Sequence, residues 1–198
     1  THGQVYDNRD STTMPTNGYK LSMTNSLAGI GGTKRFLRNK LYAKKYFPLH
    51  DQVVLSLGGR IGHVLGLGED VNLHDRFSLG GDNLRGFATN GVGPRDTLTK
   101  DALGGEWLYS ATSQVTFPLG LPTELGVSGK IFTDLGSTGQ LSSGNTNVND
   151  NGSLRASVGT GVDWASPFGP IGIDFGFPIL KEEFDIKEQM RVNFGTKF

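Results

Sequence analysis

Cysteine is absent from the 198 residues, which removes disulfides, thiol chemistry and cysteine-based zinc sites together. It leaves the redox compartment open, because an oxidising location permits disulfides without requiring them. The four histidines, His2, His50, His63 and His74, show no metal-ligand spacing. Net charge is also absent: 19 basic and 19 acidic residues cancel, so no polyanionic partner is implied. No basic stretch interleaves with aromatics, which argues against nucleic acid. The chain has no apolar run of the ~18 residues that a transmembrane helix requires. It opens on THGQVYDN, with neither a basic start nor an apolar segment, so a mature or truncated piece is expected. G-x-S-x-G is missing, and serine, histidine and aspartate have no catalytic motif around them. An enzyme is not expected, and neither a catalytic residue, a cofactor nor a metal is assigned. Gly159-Thr160-Gly161 resembles half a phosphate loop but lies inside an alternating segment where a helix should follow, so it is discounted.

What the chain does have is glycine, 30 residues against a usual share of ~7%, and alternation. Hydrophobic content is only 35%, low for a two-sided core but sufficient where one face of each strand must be oily. In EQMRVNFGTKF, Met190, Val192, Phe194, Thr196 and Phe198 share one face, and Gln189, Arg191, Asn193, Gly195 and Lys197 the other. The same period of two predicts strands around Tyr19–Leu27, Val53–Ile61, Trp107–Phe117, Leu125–Leu135, Leu154–Trp164 and Ile171–Ile179. It is weak over residues 34–48, and Gln4–Asp7 reads as the tail of a further strand. The fold class expected is all-β, an antiparallel barrel of about eight strands plus a remnant. Turns near Pro15, Pro48, Pro118 and Pro167 fall on one rim, and longer connections on the other, which is the pattern of an outer-membrane barrel. Arg60, Glu106, Lys130, Asp134, Arg155, Asp163, Asp174 and Arg191 share the face opposite the oily one, which fits a wet lumen. Trp107, Tyr109, Trp164 and Phe198 fall near strand ends, where interfacial aromatics belong. A soluble sandwich or lipocalin-like barrel would turn the oily face inward; strands of ~10 or more residues speak for the membrane.

One connection, about residues 66–103, is too long for a turn and too rich in glycine for a helix. Loops beyond ~12–15 residues are most often functional or disordered. This one holds Leu84, Arg85, Gly86 and Phe87 after a Gly80-Gly81 pair, which reads as a loop that places an arginine. Composition alone also allows Arg85 to be a solvated loop residue, and Asp134 to pair with Lys130 or Arg155. The polar stretch Gly139–Gly152 is expected to be mobile, and Lys181–Lys187 reads as a charged, solvated connection that includes Glu182 and Glu183.

Five segments, in order, resemble the C-terminal half of the BamA-type outer-membrane assembly factors: DRFSLGGDNLRGF, DALGGEW, IFTDLG, WASPFGPIGIDFGFPI and RVNFGTKF. The resemblance covers essentially residues 1–198. It implies the C-terminal part of a sixteen-stranded transmembrane β-barrel, in the outer membrane of a Gram-negative bacterium or a related organelle. It implies an insertase that receives unfolded outer-membrane proteins, works against outer-membrane lipid, and opens a lateral seam of which the final strand (Met190, Val192, Phe194, Phe198) is one wall. Periplasmic assembly lipoproteins are implied for the full-length protein. It further implies that Arg85 folds into the lumen onto the acid at Asp134; breaking one side would cost up to a few kcal/mol. The family often carries a second acid near Gln114, and glutamine cannot supply charge. Two-partner secretion exporters share the loop motif, so a pore exporting a polypeptide is the alternative. A small closed barrel would instead need the first and last strands to pair.

Overall fold

The computed structural model of the chain describes residues 1–29, 34–141, 147–167 and 169–195. Phe198 lies outside the described residues, as do residues 30–33 and 142–146. Four strands come first: β1 (His2–Asp7), β2 (Gly18–Ala28), β3 (Phe36–His50) and β4 (Val53–Gly66). The long connection follows, carrying the short β5 (Gly86–Phe87) and β6 (Arg95–Asp96). Next come β7 (Trp107–Pro118), β8 (Val127–Gly139), the short β9 (Val148–Asn149), β10 (Arg155–Ser166) and β11 (Gly169–Leu180). The chain closes with the short β12 (Lys187–Glu188) and β13 (Met190–Phe194).

Nine strands form one antiparallel sheet in the order β1-β2-β3-β4-β7-β8-β10-β11-β13. These are the eight strands and one remnant expected from the alternation. The sheet is open among the described residues, with β1 and β13 as its edges, so the closed small barrel does not form. Residues from β3, β4, β7, β8 and β11 and from the turn before β2 line a single cavity of about 580 Å³, so the sheet is concave. A 12-residue strand such as β7 or β10 reaches roughly 40 Å at ~3.4 Å per residue, enough to cross a ~30 Å hydrocarbon layer while tilted.

The oily row faces outward. Ile131 is 51% exposed, Phe175 41% and Phe194 77%, while Lys130, Asp134, Arg155 and Asp174 are buried on the concave side. A soluble sandwich would show the reverse. Aromatics sit at both rims: Trp107 stacks on Tyr109 at 5.7 Å, and Tyr6 on Tyr19 at 5.3 Å. Pro48 lies within β3 where the register shifts between Pro48 and His50, as a proline inside a sheet requires. The weak alternation of β3 has a cause. Tyr42 and Tyr46 line the cavity with Lys44, so aromatic and charged residues share the inner face.

The core does not lie between two sheets. It lies between the long connection and the inner wall, and consists of Val64, Val71, Phe77, Leu79, Leu84, Phe87, Val92 and Leu108, with Phe36 against it. The inner face is therefore dry where this connection packs, rather than wet throughout. The connection runs over residues 67–106, somewhat beyond the expected 66–103, and contains a 3-10 turn at Leu73–Asp75. Two further expectations are corrected. Gly139 belongs to β8, and Val148–Asn149 pairs with Arg95–Asp96, so the polar stretch is partly tied down. The charged connection after β11 folds inward and pairs β12 with β5.

Candidate functional site

The site is the tip of the long connection, seated on the wall formed by β7, β8, β10 and β11. A tight turn builds it: the Gly81 amide donates to the Phe87 carbonyl at 2.9 Å, and Gly81 bridges Leu84. Leu84 and Phe87 are fully buried in the hydrophobic cluster on either side of Arg85. Gly86 has φ +91°, a conformation that favours glycine. A Cβ on Gly176 would lie 2.5 Å from the Gly86 nitrogen, so the two backbones touch because neither residue has a side chain. The Leu-Arg-Gly-Phe step is thus two apolar anchors, one glycine for close approach, and one arginine turned to the wall.

Arg85 is buried, and its fork is filled. Nε donates to Asp134 Oδ2 at 2.7 Å and Nη2 to Oδ1 at 2.8 Å. The Arg85 backbone N–H donates to the same Oδ2 at 3.1 Å. Nη1 donates to Gln114 Oε1 at 2.8 Å, and Nη2 also to Thr112 Oγ1 at 3.1 Å. The Thr112 hydroxyl donates to Asp134 Oδ1 at 2.5 Å. The guanidinium lies 3.4 Å from the centre of the Phe132 ring, a cation–π contact that strengthens where water is excluded. Thr112 pairs with Asp134 and Gln114 with Phe132 across β7 and β8, so the ladder register itself brings the four groups under the loop tip. Parallel double hydrogen bonds between guanidinium and carboxylate add both strength and direction.

Below this lies a second set of charges. Lys130 Nζ sits 2.6 Å from Asp163 Oδ1 and 2.6 Å from Asp174 Oδ1, and Asp174 Oδ1 is 3.8 Å from Arg85 Nη1. Asn193 Nδ2 on β13 donates to Asp174 Oδ2 at 3.2 Å. Glycine makes the room: a Cβ at Gly161 would fall 2.7 Å from Lys130 Cε and 2.8 Å from Asp174 Oδ1, and one at Gly159 would strike the Phe132 ring. The Gly-Thr-Gly set aside as half a phosphate loop is two inner-face gaps.

A further arginine, Arg155, ties the last connection to the wall. Nε donates to Asp185 Oδ2 at 3.0 Å and Nη2 to Oδ1 at 3.3 Å, both residues being buried. The ring of Phe184 lies 5.5 Å from the guanidinium. The connection is therefore tied down at Asp185, while Lys181, Glu183 and Lys187 are exposed as expected. Glu182 also accepts from the Ser153 hydroxyl, which holds its carboxyl below the usual range. Asp134 pairs with Arg85, not with Lys130 or Arg155.

The proposed seam residues lie elsewhere. Met190, Val192 and Phe194 point outward along the edge strand β13, away from the arginine. Between them, Arg191 turns inward and donates to Thr89 Oγ1 and Glu188 Oε2, each at 2.8 Å, so the edge strand touches the loop on its inner side. Reading the sequence missed Arg155–Asp185, Lys130–Asp174 and Arg191–Thr89. The available signal was glycine on the inner faces of β10 and β11, which marks close approach by a neighbour.

A family model described as the Omp85 superfamily domain matches residues 1–198. The outer membrane protein assembly factor BamA of Neorickettsia risticii is 37% identical over 191 residues, 96% of this chain and 26% of that protein. A SAM50-like protein of Schizosaccharomyces pombe is 33% identical over 212 residues, 97% of this chain and 42% of that one. The crystal structure of BamA from Haemophilus ducreyi lacking POTRA domains 1-3 superposes with a TM-score of 0.85 at 24% identity, covering 96% of this chain and 40% of that one. That likeness is one of fold. The chain spans 26% and 42% of these two curated relatives.

Proposed function

This chain belongs to the Omp85 superfamily, and from that premise we propose that it is the C-terminal barrel portion of an outer-membrane protein insertase. Its place is the outer membrane of a Gram-negative bacterium or of a related organelle. Its clients are unfolded β-barrel proteins; outer-membrane lipid surrounds it, and periplasmic lipoproteins assist the full-length protein. No bond is made or broken in a client. The work is to offer strand edges and a disturbed bilayer, with β13 as one wall of a lateral seam.

One observation carries the reading: the Leu84-Arg85-Gly86-Phe87 tip is folded back against the inner wall, with Arg85 held side-on by Asp134. Such a pin braces a wall whose edge must open without the whole sheet coming apart. An open edge has no hydrogen-bond partners in lipid, so an edge strand awaiting an incoming strand needs support from within. Among the described residues β13 has five, and it is held on its inner side through Arg191.

The test is client assembly by the full-length protein in proteoliposomes. An unfolded β-barrel client should become protease-resistant and heat-modifiable faster than in protein-free vesicles, and Arg85→Ala should abolish most of that gain. Equal rates with and without the protein would overturn the reading. So would delivery of the client to the vesicle interior, which would mark a polypeptide exporter instead.

A further inference from the structure

We propose that Asp174 is a second carboxylate of the arginine seat, a positioning residue supplied by β11 that holds the Nη1 side of Arg85 and ties the loop tip to the edge strand. The proposal rests on the reading of Arg85 as the pin of the loop, not on insertase activity.

The Asp134 carboxylate occupies Nε and Nη2 of the guanidinium, leaving Nη1 on the far side. There, among the described residues, Nη1 donates to the neutral Gln114 Oε1, at 2.8 Å. The negative charge on that side is Asp174, whose Oδ1 is 3.8 Å from Nη1. At that distance it acts as a charge rather than as a hydrogen-bond acceptor, and in a buried site such a contact is little screened.

Counting charges makes the same assignment. Two cations are buried here, Arg85 and Lys130, and two carboxylates, Asp134 and Asp174. Lys130 already has a partner in Asp163 at 2.6 Å, whose side chain is 40% exposed. Asp174 is therefore not required for Lys130 alone. Its Oδ1 faces both cations, 2.6 Å from Lys130 Nζ and 3.8 Å from Arg85 Nη1, in the space that Gly161 leaves free. Its other oxygen accepts from Asn193 on β13. Displacing β13 would release Asp174, and releasing Asp174 would loosen Arg85.

The experiment uses the full-length protein in isolated outer membranes, with Val92→Cys as reporter in a background without other cysteines. Val92 is buried in the cluster under the loop, so its labelling by a membrane-impermeant maleimide reports unseating. Asp174→Asn should raise the labelling rate about tenfold, the scale of one partly screened charge contact in a local opening equilibrium. The double variant Asp174→Asn with Lys130→Gln should stay fast, and adding Gln114→Glu to Asp174→Asn should return the rate toward the original by restoring charge beside Nη1. No change with Asp174→Asn, or an original rate in the Asp174→Asn, Lys130→Gln double, would overturn the proposal; the second result would mean that Asp174 serves Lys130 only. Should Asp174→Asn not accumulate, the double is compared with Lys130→Gln alone, and equal rates sink the idea. Labelling is independent of client assembly. A protein that assembles nothing but keeps this labelling pattern would refute the function and leave the seat standing.

Discussion

Gly86 and Gly176 meet backbone to backbone: a Cβ on Gly176 would lie 2.5 Å from the Gly86 nitrogen and 2.8 Å from its Cα. The obstruction is main chain on both sides, so no side chain can swing aside to relieve it. Gly176→Ala should therefore lift the loop tip from the wall while leaving the nine-stranded ladder in place. Hydrogen exchange should show it as lost protection of the Ala88 and Ile186 amides, which pair the loop with the last connection, with the β7–β8 amides unchanged. Retained protection at Ala88 would show that the contact is not what seats the tip.

Removing either member of the Arg85–Asp134 pair strands a buried charge. Arg85→Ala and Asp134→Asn should each cost roughly 3–5 kcal/mol of loop stability. Arg85→Lys keeps the charge but not the fork that matches the carboxylate, and should fall between. Denaturant titration of loop exchange rates gives the order. Arg85→Lys equal to the parent would argue against the side-on geometry.

The Arg155–Asp185 pair offers a thermodynamic cycle. Arg155→Met and Asp185→Leu should each destabilise the last connection by roughly 3–5 kcal/mol, and the double variant should cost less than the sum. The Glu182 amide, which donates to Asp185 at 2.8 Å, loses its acceptor in Asp185→Leu and in the double variant, so recovery should be partial. Strict additivity of the melting shifts would mean the two side chains do not interact.

Orientation has its own test. Ile131 lies on the outer face of β8, and a lysine there should cost about 2–4 kcal/mol in a bilayer near its midplane. Ser22→Lys on the inner face of β2 should cost far less. The readout is the folded, heat-modifiable fraction in membranes. Equal penalties would contradict an outward oily face.

The strands were legible because a period of two is a local property. Ile131, Thr133 and Leu135 declare one face of β8 and Lys130, Phe132 and Asp134 the other, whatever lies next to them. The loop tip was legible because Leu84, Arg85, Gly86 and Phe87 each have one evident use. The rest depends on pairs far apart in the chain. Asp185 sits among Lys181, Glu182, Glu183 and Lys187, and such a run looks solvated; only its approach to Arg155 makes it buried. Gly159 and Gly161 look like half a phosphate loop until Phe132 and Lys130 are seen to lie across them. β6 and β9 are two residues each, below the length at which alternation carries any signal.

The greasy cluster has an implication for how the chain comes together. Val64 and Leu108 belong to the wall, while Val71, Phe77, Leu79, Leu84, Phe87 and Val92 belong to the insert, so neither party is complete alone. Arg85 and Asp134 are 49 positions apart, and the carboxylate has its place only once β7 and β8 are zipped. Ring-closing on that scale is entropically slow to be rewarded. Docking of the insert must follow wall construction, and a molecule halted between the two steps would present a sticky interior to any hydrophobic segment passing by.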